Sequence, residues 1–258
     1  RWRMVAVAIA TVALLPFAAV ALLGADPRVA SAVLWVAAGG LVALTSTRRG
    51  WGKWAALSFV MAAGWVGILW TAVTEPVSIA LLVGAMVAWA SPVGGGILLG
   101  AALASKQYLV VLGPLLLSPA ITRNRRRLAS VICAAATLVA AGVIWDPAGF
   151  WDNAILFHFS QPTRTDAISP IGALAALGWA PPLAGLVGVV AGLFTAWRLH
   201  SRLTGPSQWF LAAAAVLAVT FCFTPQAFPN YWFLVLCLVL LAQIAEDRPA
   251  GSRVVTTP

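Results

Sequence analysis

The chain has 258 residues, 62% of them hydrophobic and only 9% charged, with a mean hydropathy of +0.95. Water-soluble domains run at about 45–50% apolar and about 25% charged, so this chain lacks the polar surface to cover a soluble globule. The net charge of +9 is not a nucleic-acid signal, because all the basic residues except Arg28, Lys106 and Arg164 fall in short segments of the kind that form cytoplasmic loops and tails.

The apolar runs are continuous rather than alternating, which excludes a β-barrel. They predict an all-α, polytopic transmembrane protein of about ten spans, a single transmembrane domain over 1–258 with no separate soluble domain. In chain order the predicted spans cover 4–23, 29–46, 54–72, 75–90, 92–105, 107–121, 128–145, 180–197, 207–223 and 230–245. The first run reads as a full span, without the pattern of a cleaved signal peptide. Setting the basic loops inside gives an alternating path with both termini cytoplasmic. Asp26, Glu75, Asp146, Asp152 and Asp166 then fall outside, and Trp51, Trp54, Trp70, Trp89, Trp145, Trp151, Trp197, Trp209 and Trp232 fall at span ends, where aromatic belts form. Cys133, Cys222 and Cys237 lie inside apolar runs and read as buried thiols.

Residues 92–121 must start and end on the same side of this map. An arm of about 14 residues reaches roughly 21 Å, short of the ~30 Å hydrocarbon core, so the stretch is predicted to be a hairpin of two short helices with its apex at Ser105–Lys106–Gln107. Broken helices at membrane depth occur where protein or water, not lipid, surrounds them. Lys106 is therefore expected to face a cavity toward the outer leaflet. Further on, the longest outside segment, 146–168, places Trp151, Ile155 and Phe159 at helical spacing. It is predicted to hold an interfacial helix near 150–160 and then an extended stretch. The glycines at 94–96 read as a close-packing helix surface.

The candidate substrate-binding residues share the outer face: Glu75, Lys106, His158, Gln161, Arg164, Gln226, Asn230 and Tyr231. A cationic, hydrogen-bonding cavity there suits a phosphate or diphosphate, since Arg forks onto phosphate oxygens and Lys supplies a point charge. Each residue also has a plainer role open to it. Lys106 fits a snorkelling side chain, Arg164 and Asp166 an exposed pair, Glu75 a helix-start residue, and Asn230 and Tyr231 a cap and a belt aromatic. There is no P-loop, HExxH, paired CxxC or GxSxG motif, and no acidic cluster that would call for a metal or other cofactor.

The run SPVGGGILLGAALASKQYLVVLGPLLL followed by RNRRR, the stretch FHFSQPTRTDAISPIGAL, and FTPQAFPNYWFLV resemble three segments, in order, of the C-superfamily of membrane glycosyltransferases. The nearest branch is the polyprenol-phosphate-mannose-dependent mannosyltransferases of actinobacteria. The resemblance covers about 70–245. It implies a multi-pass protein of the bacterial plasma membrane with its active site extracytoplasmic. The enzyme would move a sugar, mannose first, from a polyprenyl-phosphate donor to a hydroxyl of a glycolipid or glycan acceptor. Lys106, Arg164, Gln226, Asn230 and Tyr231 sit at the family's polar positions. The family keeps its catalytic aspartate in a long first external loop, whereas the one here spans only about 24–28. The resemblance thus implies an N-terminally truncated portion with the base upstream of residue 1, and Asp166 is the candidate base within the chain. Two other readings remain: a transporter or flippase of a lipid-linked substrate, or a non-catalytic truncated paralogue.

Overall fold

The computed structural model describes residues 19–24, 26, 28–45, 75–156, 163–165, 167–179, 183–225 and 227–246. Among the described residues every regular element is helical and no strand occurs. The long helices are α1 (Arg28–Thr45), α2 (Glu75–Val87), α3 (Pro92–Ala104), α4 (Arg125–Trp145), α5 (Ala184–His200), α6 (Pro206–Cys222) and α7 (Pro229–Glu246). They match the apolar runs to within a few residues. The run at 54–72 and most of the one at 4–23 lie outside the described residues. Of these helices only α4 is both long and apolar enough to cross a membrane alone; the others are shorter apolar helices.

Local signals set the boundaries. Proline stands at the first position of α3, α6 and α7, where its missing N–H costs nothing. Ser91 caps α3 by accepting from Gly94 N at 3.2 Å. Asn124 caps α4 through Arg126 N at 3.1 Å and Arg127 N at 3.2 Å.

Residues 92–121 form the expected hairpin, and one side chain proves it. The buried Arg127 donates from Nη1 to the Ala120 carbonyl at 2.9 Å and from Nη2 to the Trp89 carbonyl. Both ends of the hairpin are therefore gathered at the foot of α4, with Lys106 at the far end. The second arm differs from expectation. Gln107–Leu117 winds as a 3-10 helix, followed by a short α turn over Pro119–Thr122. Pro114 sits inside it, where its ring would clash with a carbonyl in an α-helix. The tighter 3-10 winding rises about 2.0 Å per residue, so this arm reaches roughly 22 Å.

Small residues bring the first arm against α4. A Cβ on Gly96 would stand 2.8 Å from the Arg127 carbonyl, and one on Gly100 would meet the Val131 carbonyl. The two helices therefore run parallel and in close contact, and α4 continues about two turns past the end of α3, roughly 12 Å. The hairpin apex is thus recessed below the end of α4.

The core lies among α1, α2, the 3-10 arm, α6 and α7. Trp209, Phe210, Phe221, Ile79, Met86, Leu109 and Leu112 are fully buried there. Large apolar side chains also face outward, among them Val36 on α1, Ile144 and Trp145 on α4, and Phe194 and Trp197 on α5.

Two further readings need correction. Trp151–Leu156 is a π-helical turn, so Trp151 and Ile155 do not recur with α spacing; the rest of the 150–160 segment lies outside the described residues. The segment after the loop forms a short helix of its own, Pro170–Ala176. Of the three thiols only Cys237 is buried, while Cys133 is exposed on α4.

Candidate functional site

The composition uses few ionisable residues, and the scarcest of them meet at one place. Lysine occurs only at 53 and 106, glutamate only at 75 and 246, and tyrosine only at 108 and 231. Lys106 and Tyr108 at the start of the 3-10 arm, Glu75 on α2 and Tyr231 on α7 gather at the hairpin apex.

Lys106 lies at the break between the arms, in extended backbone conformation (φ −148°, ψ 131°). Its Nζ donates to Glu75 Oε1 at 3.0 Å. Glu75 opens α2 and its side chain is 1% exposed, against 12% for Lys106, so lysine is the more accessible member of the pair. One turn along α2, Ser78 Oγ meets Ser105 Oγ at 2.7 Å, and Ser105 also donates to the Ala102 carbonyl at 2.6 Å. The apex backbone is therefore anchored separately from the ion pair.

The second Glu75 oxygen, Oε2, and the hydroxyl of Tyr108 are both buried, and neither has a hydrogen-bond partner among the described residues. Tyr108 and Tyr231 both lie within electrostatic reach of the Glu75 carboxylate. The tyrosine rings meet edge-on at 5.0 Å, and both contact Phe221.

Arg164 reaches the same end of the bundle by another route. Arg164 N donates to the Pro225 carbonyl at 3.1 Å and Ile168 N to the Ala227 carbonyl at 2.6 Å. Ser169 Oγ donates to the Thr224 carbonyl at 3.0 Å, and Trp232 Nε1 to the Ile168 carbonyl at 2.6 Å. The segment before Pro170 is thus laced onto the turn between α6 and α7. The Arg164 guanidinium stands 5.0 Å above the ring of Phe228, which contacts Tyr231 in turn. Asn230 is half-buried in the first turn of α7.

Of the residues singled out from sequence, Glu75, Lys106, Tyr231 and Arg164 are joined by this chain of contacts. His158, Gln161, Asp166 and Gln226 lie outside the described residues. Tyr108 and Ser78 escaped the sequence reading, which places Ser105 at the apex but gives it no role. For Tyr108 the available signal was its rarity and its place two residues beyond Lys106; the serines carried none. Among the described residues no group of three or more His, Cys, Asp or Glu could hold a metal ion. Comparisons with protein-family models, with curated proteins and with solved structures find no match to this chain.

Proposed function

We propose that the chain is the catalytic-face portion of a multi-pass bacterial membrane glycosyltransferase. It moves a sugar, mannose first, from a polyprenyl-phosphate donor to a glycolipid or glycan hydroxyl on the extracytoplasmic side. The observation that carries this reading is the recessed apex: a lysine at the break of an apolar hairpin, beside two tyrosines and an arginine-bearing loop. Outward apolar side chains on α1, α4 and α5 suit lipid contact. A cation sunk below the end of α4 suits a phosphate that approaches sideways from the bilayer, with its isoprenoid tail left in lipid.

In the transfer, the acceptor hydroxyl oxygen bonds to the anomeric carbon, the bond from that carbon to the phosphate oxygen breaks, and a base takes the acceptor proton. Polyprenyl phosphate departs with the electron pair. Its charge is stabilised by Lys106 and Arg164, so the chain's contribution is chiefly electrostatic. No acid is needed to protonate a leaving group that is already a stable anion.

The test is transfer of radiolabelled mannose from a polyprenyl-phosphate donor by the full protein in nanodiscs. The double variant Glu75→Gln/Lys106→Met keeps the site neutral and leaves no buried charge unpaired. It is expected to lose about a hundredfold in rate, or about 2.7 kcal/mol of transition-state stabilisation. Transfer at the wild-type rate by the folded double variant would remove the apex from the reaction. Absence of transfer by the wild-type protein across glycolipid and glycan acceptors would overturn the transferase reading.

A further inference from the structure

We propose that Glu75 is the resident counter-ion of Lys106, displaced when the donor phosphate binds, and that the hydroxyl of Tyr108 takes over its carboxylate. This inference rests on the donor reading above and makes Glu75 a positioning residue for it.

Three observations lead here. The first is asymmetric burial. Glu75 is 1% exposed and Lys106 12%, so an anion can reach the ammonium group but not the carboxylate behind it. The second is the separate anchor. The Ser78–Ser105 contact at 2.7 Å holds the apex backbone, so the Lys106 side chain can change partner without the hairpin opening. The third is the pair of unsatisfied buried atoms. Glu75 Oε2 and the Tyr108 hydroxyl lack partners among the described residues, and the hydroxyl stands close enough to the carboxylate to interact with it.

A buried polar atom left unpaired is costly, and a pair of such atoms beside a strong ion pair marks a network with a second arrangement. In the resting arrangement Lys106 satisfies Oε1, and the Tyr108 hydroxyl stands beside the carboxylate without a hydrogen bond of normal geometry. With phosphate on Lys106, Glu75 would be stranded in a dry site unless a new donor reached it. Tyr108 is that donor. The resting pair also keeps the Lys106 ammonium compensated, so that no lone charge is held inside the bundle.

The scarcity of these residues makes the exchange observable in this chain without any substitution. Labelling lysine Nζ with nitrogen-15 and glutamate Cδ with carbon-13 marks only two sites of each kind within these 258 residues. In nanodiscs free of polyprenyl phosphate, solid-state NMR is expected to show one short-range Nζ–Cδ dipolar coupling. Saturating short-chain polyprenyl phosphate should abolish it and produce a coupling from the same Nζ to phosphorus-31. Inorganic phosphate is the comparison ligand: the same change with it would assign recognition to the headgroup alone, whereas a change only with the lipid would require the tail. Tyr108→Phe should weaken polyprenyl-phosphate binding about fivefold or more. If phosphorus binds while the Nζ–Cδ coupling persists, the exchange is wrong and the donor reading stands. If the phosphorus signal of polyprenyl phosphate is unchanged by the protein, the donor reading falls with it.

Discussion

At the scale of single residues, the buried ion pair and the buried arginine do different work. Lys106 and Glu75 attract each other in a poorly hydrated site, but that attraction is set against the cost of removing both from water. Such a pair adds little net stability, yet breaking it from one side is expensive. Lys106→Met alone would leave the Glu75 carboxylate buried, whereas Glu75→Gln/Lys106→Met leaves nothing charged. The single variant is expected to unfold more readily than the double by about 3 kcal/mol, checked by thermal unfolding in mild detergent. Equal stabilities would mean that water or lipid headgroups already solvate Glu75. Arg127 is a fastener: it donates to the Trp89 and Ala120 carbonyls and lies 4.5 Å over the Trp89 ring. Arg127→Met strands both carbonyls and should cost roughly 2–4 kcal/mol. A cysteine pair at the two hairpin ends would then cross-link more slowly; unchanged cross-linking and stability would show that packing alone closes the hairpin.

At the scale of elements, the pairing of α3 with α4 is decided by two glycines one turn apart. Their Cα atoms press against the backbone of α4, so a larger residue must push the helices apart. Gly100→Ala sets a methyl against the Val131 carbonyl and is expected to cost about 1–3 kcal/mol, as overpacking does. Gly113 in the 3-10 arm is the control, because a Cβ there meets nothing within 4 Å. Gly113→Ala should change stability by no more than about 0.5 kcal/mol. Equal effects at the two sites, measured by unfolding in the same detergent, would contradict the close approach. The 3-10 arm itself shows how an element's type can escape a hydropathy pattern. Hydropathy sees an apolar run ending in RNRRR, while Pro114 changes how the chain winds.

At the scale of the whole molecule, the helices sort the polar residues to two ends. Glu75, Lys106, Arg164 and Tyr231 lie at one end. The basic turn ahead of α4 lies at the other, along with the Leu203 carbonyl, which accepts from Ala120 N at 2.9 Å. In a cysteine-free background, a cysteine placed at Arg125 should resist a membrane-impermeant reagent added to intact cells, and one at Thr165 should react. Both positions are exposed, so packing does not confound the result. The reverse pattern would invert the molecule and place the apex toward the cytoplasm.

The helical class, the extents of the long helices and the break at 105–106 could all be read from sequence, because each depends on local properties: run length, capping residues, proline positions and a polar interruption in an apolar run. Lys106 could be singled out for the same reason, as one polar residue where the pattern allows none. Which residue Lys106 faces could not be read. Glu75 precedes it by 31 positions, and nothing local to either residue distinguishes an inward ion pair from a side chain reaching for headgroups. The same holds for Tyr108 and Tyr231, which met no rule of spacing, and for the lacing of 163–169 onto the α6–α7 turn. Tertiary structure decided those contacts, because they exist only once helices distant in sequence pack side by side and the few polar groups find one another in an apolar interior.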